Sequence, residues 1–199
     1  LVSKGIAGQA DALQLLDVNV AGGKAGDDER LRAVILSRST EENDRLAALE
    51  LLKALVKPSK GKVVRNEDRL LLASLSLAEY ERQRQRLDLE RNRSNVDLKE
   101  LEDVADEHLE TARQQTDQIV VGLSSKASGL RSPTNSEVDQ GYLTALMLHI
   151  DILLRGEDYV NAQRWLNVLK ELKPNDNGTV LTEASVQFAI GNHDQAIRL

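Results

Sequence analysis

Apolar residues recur along this chain every three or four positions: Leu46, Leu49, Leu52 and Leu55 in one segment, Tyr159, Ala162, Leu166, Leu169 and Leu172 in another. A period near 3.6 gathers such residues on one face of a helix, whereas a strand needs a period of two. The stripes are interrupted where Gly, Pro, Asn and Ser cluster: at 21–26, at Pro58-Ser59-Lys60-Gly61-Lys62, from Gly122 to Ser136, and at Pro174-Asn175-Asp176-Asn177-Gly178. Weaker turns fall at Ser39-Thr40, at Arg155-Gly156-Glu157 and at Gly191-Asn192. Such residues stop a helix because they break its hydrogen-bond ladder or offer an alternative to it. The pattern predicts helices near 8–20, 27–39, 42–57, 66–91, 95–122, 137–155, 158–173 and 178–190, with a last one from about 193, and no strand. Thr40, and Ser94 or Asn95, are the candidate N-caps for the helices that follow them.

Helices joined by short turns form pairs, and a helical pair buries its apolar stripes only by stacking on another pair. The small residues Ala162 and Ala196 stand 34 positions apart, each preceded by a glycine turn, Gly156 and Gly191. Large residues follow the first of them at Leu166 and Leu169, and Pro174 closes the segment. This arrangement resembles the tetratricopeptide repeat, a helix pair of about 34 residues with a small residue at the close contact of its second helix. Residues 143–176 match the second-helix half well, although Ile150 stands where the family prefers a small first-helix residue. Ala73, Ala105, Leu109 and Ala112 carry a similar signature, and 27–57 form a looser pair with Ala47, Leu51 and Ala54 in the second-helix positions. Residues 8–20 look like the second helix of a further pair. The resemblance implies an all-α superhelix, a right-handed solenoid over 1–199 that begins and ends inside a repeat and so reads as a piece of a longer array.

Roughly twenty residues beyond the template separate Ala73 from Ala105, and they form an inserted long helical hairpin over 80–120. Its first limb is rich in arginine (Arg82, Arg84, Arg86, Arg91, Arg93), its second in carboxylates (Asp97, Glu100, Glu102, Asp103, Asp106, Glu107, Glu110). Folded back at Asn92-Arg93-Ser94-Asn95, the limbs would pair their charges around Leu87, Leu89, Leu98 and Leu101. A limb of ~25 residues would extend ~38 Å. Such an arm is either a solvated extension or a surface for docking or for dimerising, the latter giving a homodimer through the arm. The serine-rich stretch 122–136 reads as a flexible linker.

Composition narrows the functional classes. The chain has 199 residues, 41% hydrophobic and 29% charged, enough for a packed core. Its 26 Lys and Arg against 32 Asp and Glu leave a net charge of −6, the wrong sign for a phosphate-backbone footprint, so no nucleic-acid partner is expected. The absence of cysteine excludes thiol catalysis and cysteine-ligated zinc. No run approaches the ~20 apolar residues of a membrane span, so no membrane contact is expected of this piece, and a cytoplasmic setting is the working assumption. Four of the five aromatic residues, Tyr142, Tyr159, Trp165 and Phe188, follow position 137, which points to a better-filled core there.

Candidate chemistry is sparse. His108, His149 and His193 are scattered and form no zinc-binding spacing. His149 lies in the stripe of Leu146, Ile150 and Leu153 and reads as a hydrogen-bonded, semi-buried residue. Gly22-Gly23-Lys24 lacks the first glycine and the hydroxyl of a phosphate loop. Asn92-Arg93-Ser94 and Asn177-Gly178-Thr179 fit the glycosylation tripeptide, which occurs often by chance. Trp165 reads as a packing anchor. The sequence therefore predicts no catalytic residues, no metal and no cofactor, and a non-enzymatic module for protein–protein interaction. Tetratricopeptide-like solenoids bind proteins or extended peptides on the concave face lined by their first helices. By that resemblance the partner-binding positions are Ser74, Leu77, Met147, Asp151, Leu154 and Arg155. They lack the clustered Lys, Arg and Asn with which some members hold peptide C-termini. The alternatives are an oligomerisation module acting through the arm, or the regulatory part of a larger enzyme.

Overall fold

A computed structural model describes residues 13, 14, 16, 25–58, 63–91, 98–127 and 140–199. All regular structure among the described residues is helical: α1 (Ala25–Leu36), α2 (Glu42–Val56), α3 (Asn66–Glu90), α4 (Leu98–Ala127), α5 (Gln140–Arg155), α6 (Tyr159–Leu172), α7 (Asn177–Ala189) and α8 (His193–Arg198). The chain divides into two compact units, Leu1–Leu75 and Ser76–Leu199, and α3 passes from one to the other.

The first unit is held by α1, α2 and the opening turns of α3, with Ala33, Leu36, Leu49, Leu52, Leu55, Leu72 and Leu75 in its core. Arg30 grips the buried carboxylate of Asp68 through two nitrogens, Nε to Oδ1 and Nη2 to Oδ2, the latter at 2.7 Å. A carboxylate removed from water needs such a charged, hydrogen-bonded partner. At the start of α2 the N-cap residue is Glu41 rather than Thr40, and its side chain makes no cap bond. Ser39 Oγ instead accepts from the Glu41 N–H at 3.1 Å, and Arg45 Nη1 donates to the Thr40 carbonyl at 2.5 Å. The stripe expected along α2 is also displaced: Ala47 and Ala54 are exposed, as is Leu46, while Ala48, Leu49, Leu52, Leu55 and Val56 are buried. Apolar residues occupy most of this helix's circumference, so spacing alone did not select the buried face.

In the second unit α4 packs along α5, α6 folds back on α5, α7 lies against both, and α8 folds back on α7. Val120 of α4, Leu146, Ile150 and Leu153 of α5, Ala162, Leu166 and Leu169 of α6, and Val186 of α7 form its core. Thus Ala162, Leu166 and Leu169 point inward as their spacing requires. Within 80–120, Leu87 is buried but Leu89 is 74% exposed, so the expected four-leucine seam is not formed. Residues two apart on a helix face nearly opposite ways. The fold-back at 92–95 lies outside the described residues. The helix α4 continues to Ala127, past the expected end at 122, and 128–136 of the expected linker are likewise outside them. So are 8–20, apart from residues 13, 14 and 16.

The turns α5–α6 and α7–α8 repeat each other bond for bond at an offset of 34. Gly156 N–H donates to Ile152 O, Glu157 to Leu154 O, and Asp158 to Leu153 O; one repeat on, Ile190 donates to Val186 O, Gly191 to Phe188 O, and Asn192 to Gln187 O. Ala162 N–H to Asp158 O and Ala196 N–H to Asn192 O complete the match. Each turn is a Schellman closure, whose penultimate residue must take a left-handed conformation: Glu157 at φ 57° and Gly191 at φ 87°.

Candidate functional site

The repeated turn brings the C-terminal halves of α5 and α7 alongside one another, with α8 closing one side. Between them lies an open cleft of about 520 Å³. Asp151, Leu154 and Arg155 line it from α5, Ser185, Phe188 and Ala189 from α7 together with Ala184, and Ala196 and Ile197 from α8. On α5 the three residues sit at i, i+3 and i+4, one face of the helix. On α7 the positions 34 residues later, Ser185, Phe188 and Ala189, do the same.

The cleft is apolar with a charged edge. Phe188 and Ile197 are 64% and 83% exposed, unusual for side chains of this size and character. The Phe188 ring leans on the His193 imidazole, centroids 4.7 Å apart. At the edge Arg155 Nη2 pairs with Glu81 Oε1 of α3 at 2.8 Å, while its Nε stands 3.6 Å from Asp151 Oδ1. The Asp151 carboxylate accepts no hydrogen bond among the described residues. Burial pushes its pKa up, Arg155 opposes the shift and the Glu81 carboxylate adds to it.

Three of the six sequence-predicted positions, Asp151, Leu154 and Arg155, therefore meet in one cleft. Met147, one turn earlier on α5, packs on the hairpin core, and α7 approaches it through Gly178, where a Cβ would lie 3.0 Å from the Met147 sulfur. Leu77 is buried in α3 and so offers no surface to a partner; Ser74 is exposed but belongs to the first unit. Sequence reasoning missed Ser185, Phe188 and Ala189, although adding 34 to Asp151, Leu154 and Arg155 yields them directly. It also missed Glu81, for which no local signal exists.

A second polar group lies inside the same unit. His149 of α5 is 1% exposed and hydrogen-bonds through Nδ1 to Thr116 Oγ1 at 2.9 Å. Its Nε2 stands 3.4 Å from Asp117 Oδ1, and Trp165 meets its ring edge-on at a centroid distance of 5.7 Å. Burial drives the imidazole pKa down and Arg113 adds to that, against the carboxylates of Asp117 and Asp158. Hydroxyl, imidazole and carboxylate in a row evoke a nucleophile relay. Thr116 Oγ1, however, is enclosed within helix α4 and also reaches the Ala112 and Arg113 carbonyls at 3.1 and 3.0 Å, so no substrate can approach it without opening the helices. The group is a buried polar clamp between α4 and α5.

Among the described residues no group of three His, Asp or Glu side chains is placed to hold a metal ion, and no helix is long and apolar enough to cross a membrane. Comparison with known proteins returns no match for the chain, whether to a family model, a curated protein or a solved structure.

Proposed function

We propose that this chain is a tetratricopeptide-like helical-repeat module that binds a polypeptide segment in the cleft of its second unit, without catalysis. The observation that carries this reading is the 34-residue recurrence of the closing hydrogen bonds at the two turns. It supports the repeat resemblance independently of side-chain identity and sets Asp151, Leu154 and Arg155 beside their counterparts on α7. Repeat modules of this kind spread affinity over many small contacts along aligned helices. An open, largely apolar cleft with a few polar groups at its rim suits an extended or helical segment better than a small ligand, which calls for enclosure.

Photo-crosslinking tests this. A photoreactive residue placed at Ser185, at the cleft wall, is compared in cells with the same group at Glu171, exposed on α6. Discrete polypeptide adducts at 185 and not at 171 are expected. Equal labelling at both positions, or none at 185, would sink the proposal.

A further inference from the structure

The cleft has an unbalanced rim. Two carboxylates, Glu81 and Asp151, share one guanidinium, and the sharing is unequal: Arg155 gives its Nη2 to Glu81 at 2.8 Å and only approaches Asp151 at 3.6 Å, beyond hydrogen-bond length. Asp151 is thus a half-buried carboxylate on the cleft wall that accepts no hydrogen bond among the described residues. One helical turn away, Leu154 opens the apolar floor that continues into Phe188 and Ile197. A carboxylate partly removed from water and short of donors favours a ligand that supplies a positive charge and N–H groups.

We infer that the cleft selects a polypeptide segment presenting a lysine or arginine to Asp151 and, within one helical turn or two extended residues of it, an apolar side chain to Leu154, Phe188 and Ile197. This rests on the polypeptide-binding reading above and names the chemistry of the segment. Glu81 serves as the positioning residue: by holding Arg155 aside it keeps that guanidinium from satisfying Asp151 itself. The rim carries net negative charge, as does the chain as a whole, so a basic segment is also drawn towards it over a Debye length.

The test uses the whole 199-residue chain and, as probe, a phage-displayed library of random 12-residue peptides. Selected peptides are synthesised and their affinities measured against the unaltered protein, Asp151→Asn, Asp151→Glu and Phe188→Asp, with melting followed for each. Because Asp151 accepts no hydrogen bond among the described residues, Asp151→Asn is expected to melt as the parent does. The expected result is enrichment of Lys or Arg adjacent to apolar residues, about tenfold weaker binding to Asp151→Asn, retention by Asp151→Glu, and weakening with salt. Peptides without basic bias, peptides rich in acidic residues, or binding indifferent to Asp151→Asn would overturn this inference while leaving polypeptide binding at the cleft intact. Failure of any selected peptide to respond to Phe188→Asp would overturn both.

Discussion

The hairpins α5–α6 and α7–α8 share a backbone and differ in almost everything attached to it. Their turns close with the same four hydrogen bonds 34 residues apart. Yet Ile150, Leu153 and Ala162 in the first are buried in the core, whereas their counterparts are Ala184, Gln187 and Ala196, two of them only half-buried, and Leu154 is answered by the outward-facing Phe188. The first hairpin has α4 on one side and α7 on the other; the second has neighbours on one side only among the described residues. Turn geometry is thus a local property, set by a few residues, while burial depends on what stacks against the hairpin. The same contrast explains why the cleft lies where it does, at the edge of packing and not in its middle.

The largest effect separating the hairpins concerns their large apolar residues. Ile150→Ala is expected to cost ~2–5 kcal/mol by urea unfolding, because the cavity it leaves is enclosed, whereas Phe188→Ala is expected to cost less than ~1 kcal/mol. Comparable losses from both would mean that the second hairpin is packed as tightly as the first.

Next comes pH, which separates His149 from Glu183 at the equivalent position of α7. Burial lowers the His149 pKa below its ordinary 6.5, so the folded state holds the neutral ring while the unfolded chain takes up a proton at about 6.5. Stability is therefore complete above that pH and is lost as pH falls below it, at no more than ~1.4 kcal/mol per pH unit for a single proton. Urea unfolding of the parent and of His149→Asn between pH 7.5 and 5.5 should show the slope in the parent alone. An equal slope in both would assign it to other groups.

The caps should differ by less. Asp158 accepts from the Asn161 N–H at 3.3 Å and pairs with Arg113 at 2.9 Å, whereas Asn192 makes no side-chain cap bond at α8. Asp158→Ala should cost ~1–2 kcal/mol and Asn192→Ala ~0.5 kcal/mol or less in thermal unfolding. Smallest of all is the left-handed position: Glu157→Gly should stabilise by a few tenths to ~1 kcal/mol and Gly191→Ala destabilise by a similar amount, since only glycine takes that conformation without strain. A loss of stability from Glu157→Gly, or none from Gly191→Ala, would show that the turns are not equivalent after all.

Legibility in the sequence followed how much choice each helix left open. In α6 a single small residue among large ones, Ala162 with Leu166 and Leu169, admits one inward face, and that face is buried. In α2 the run Leu46-Ala47-Ala48-Leu49 offers several equivalent faces, and the one chosen is turned from the expected one. The aromatics divided for a related reason. Of the four after position 137, Tyr142 and Trp165 pack against the core of the second unit, but Phe188 is largely exposed and Tyr159 lies at the surface, while Tyr80 before them is buried. Aromatic content measures surface available for burial, not surface buried.

Half of the candidate site was legible because Asp151, Leu154 and Arg155 share one face of one helix. The Ser185 and Phe188 wall was encoded in the 34-residue period and needed only its extension by one repeat. The Glu81–Arg155 pair was not encoded in any pattern, since 74 positions separate its members.

By itself, then, the sequence determined that the described chain is helical and where its C-terminal turns fall, because hydrogen bonding between residues three to five apart is fixed by local spacing and by residues such as Gly156, Asp158 and Gly191. The tertiary structure alone decided which side of α2 is inside, that Leu77 is closed off, and that Arg155 is drawn to Glu81 and away from Asp151. Those outcomes depend on which surfaces meet across long stretches of chain, and the energies that choose among them, burial and charge pairing, act through space and leave no periodic trace along the sequence.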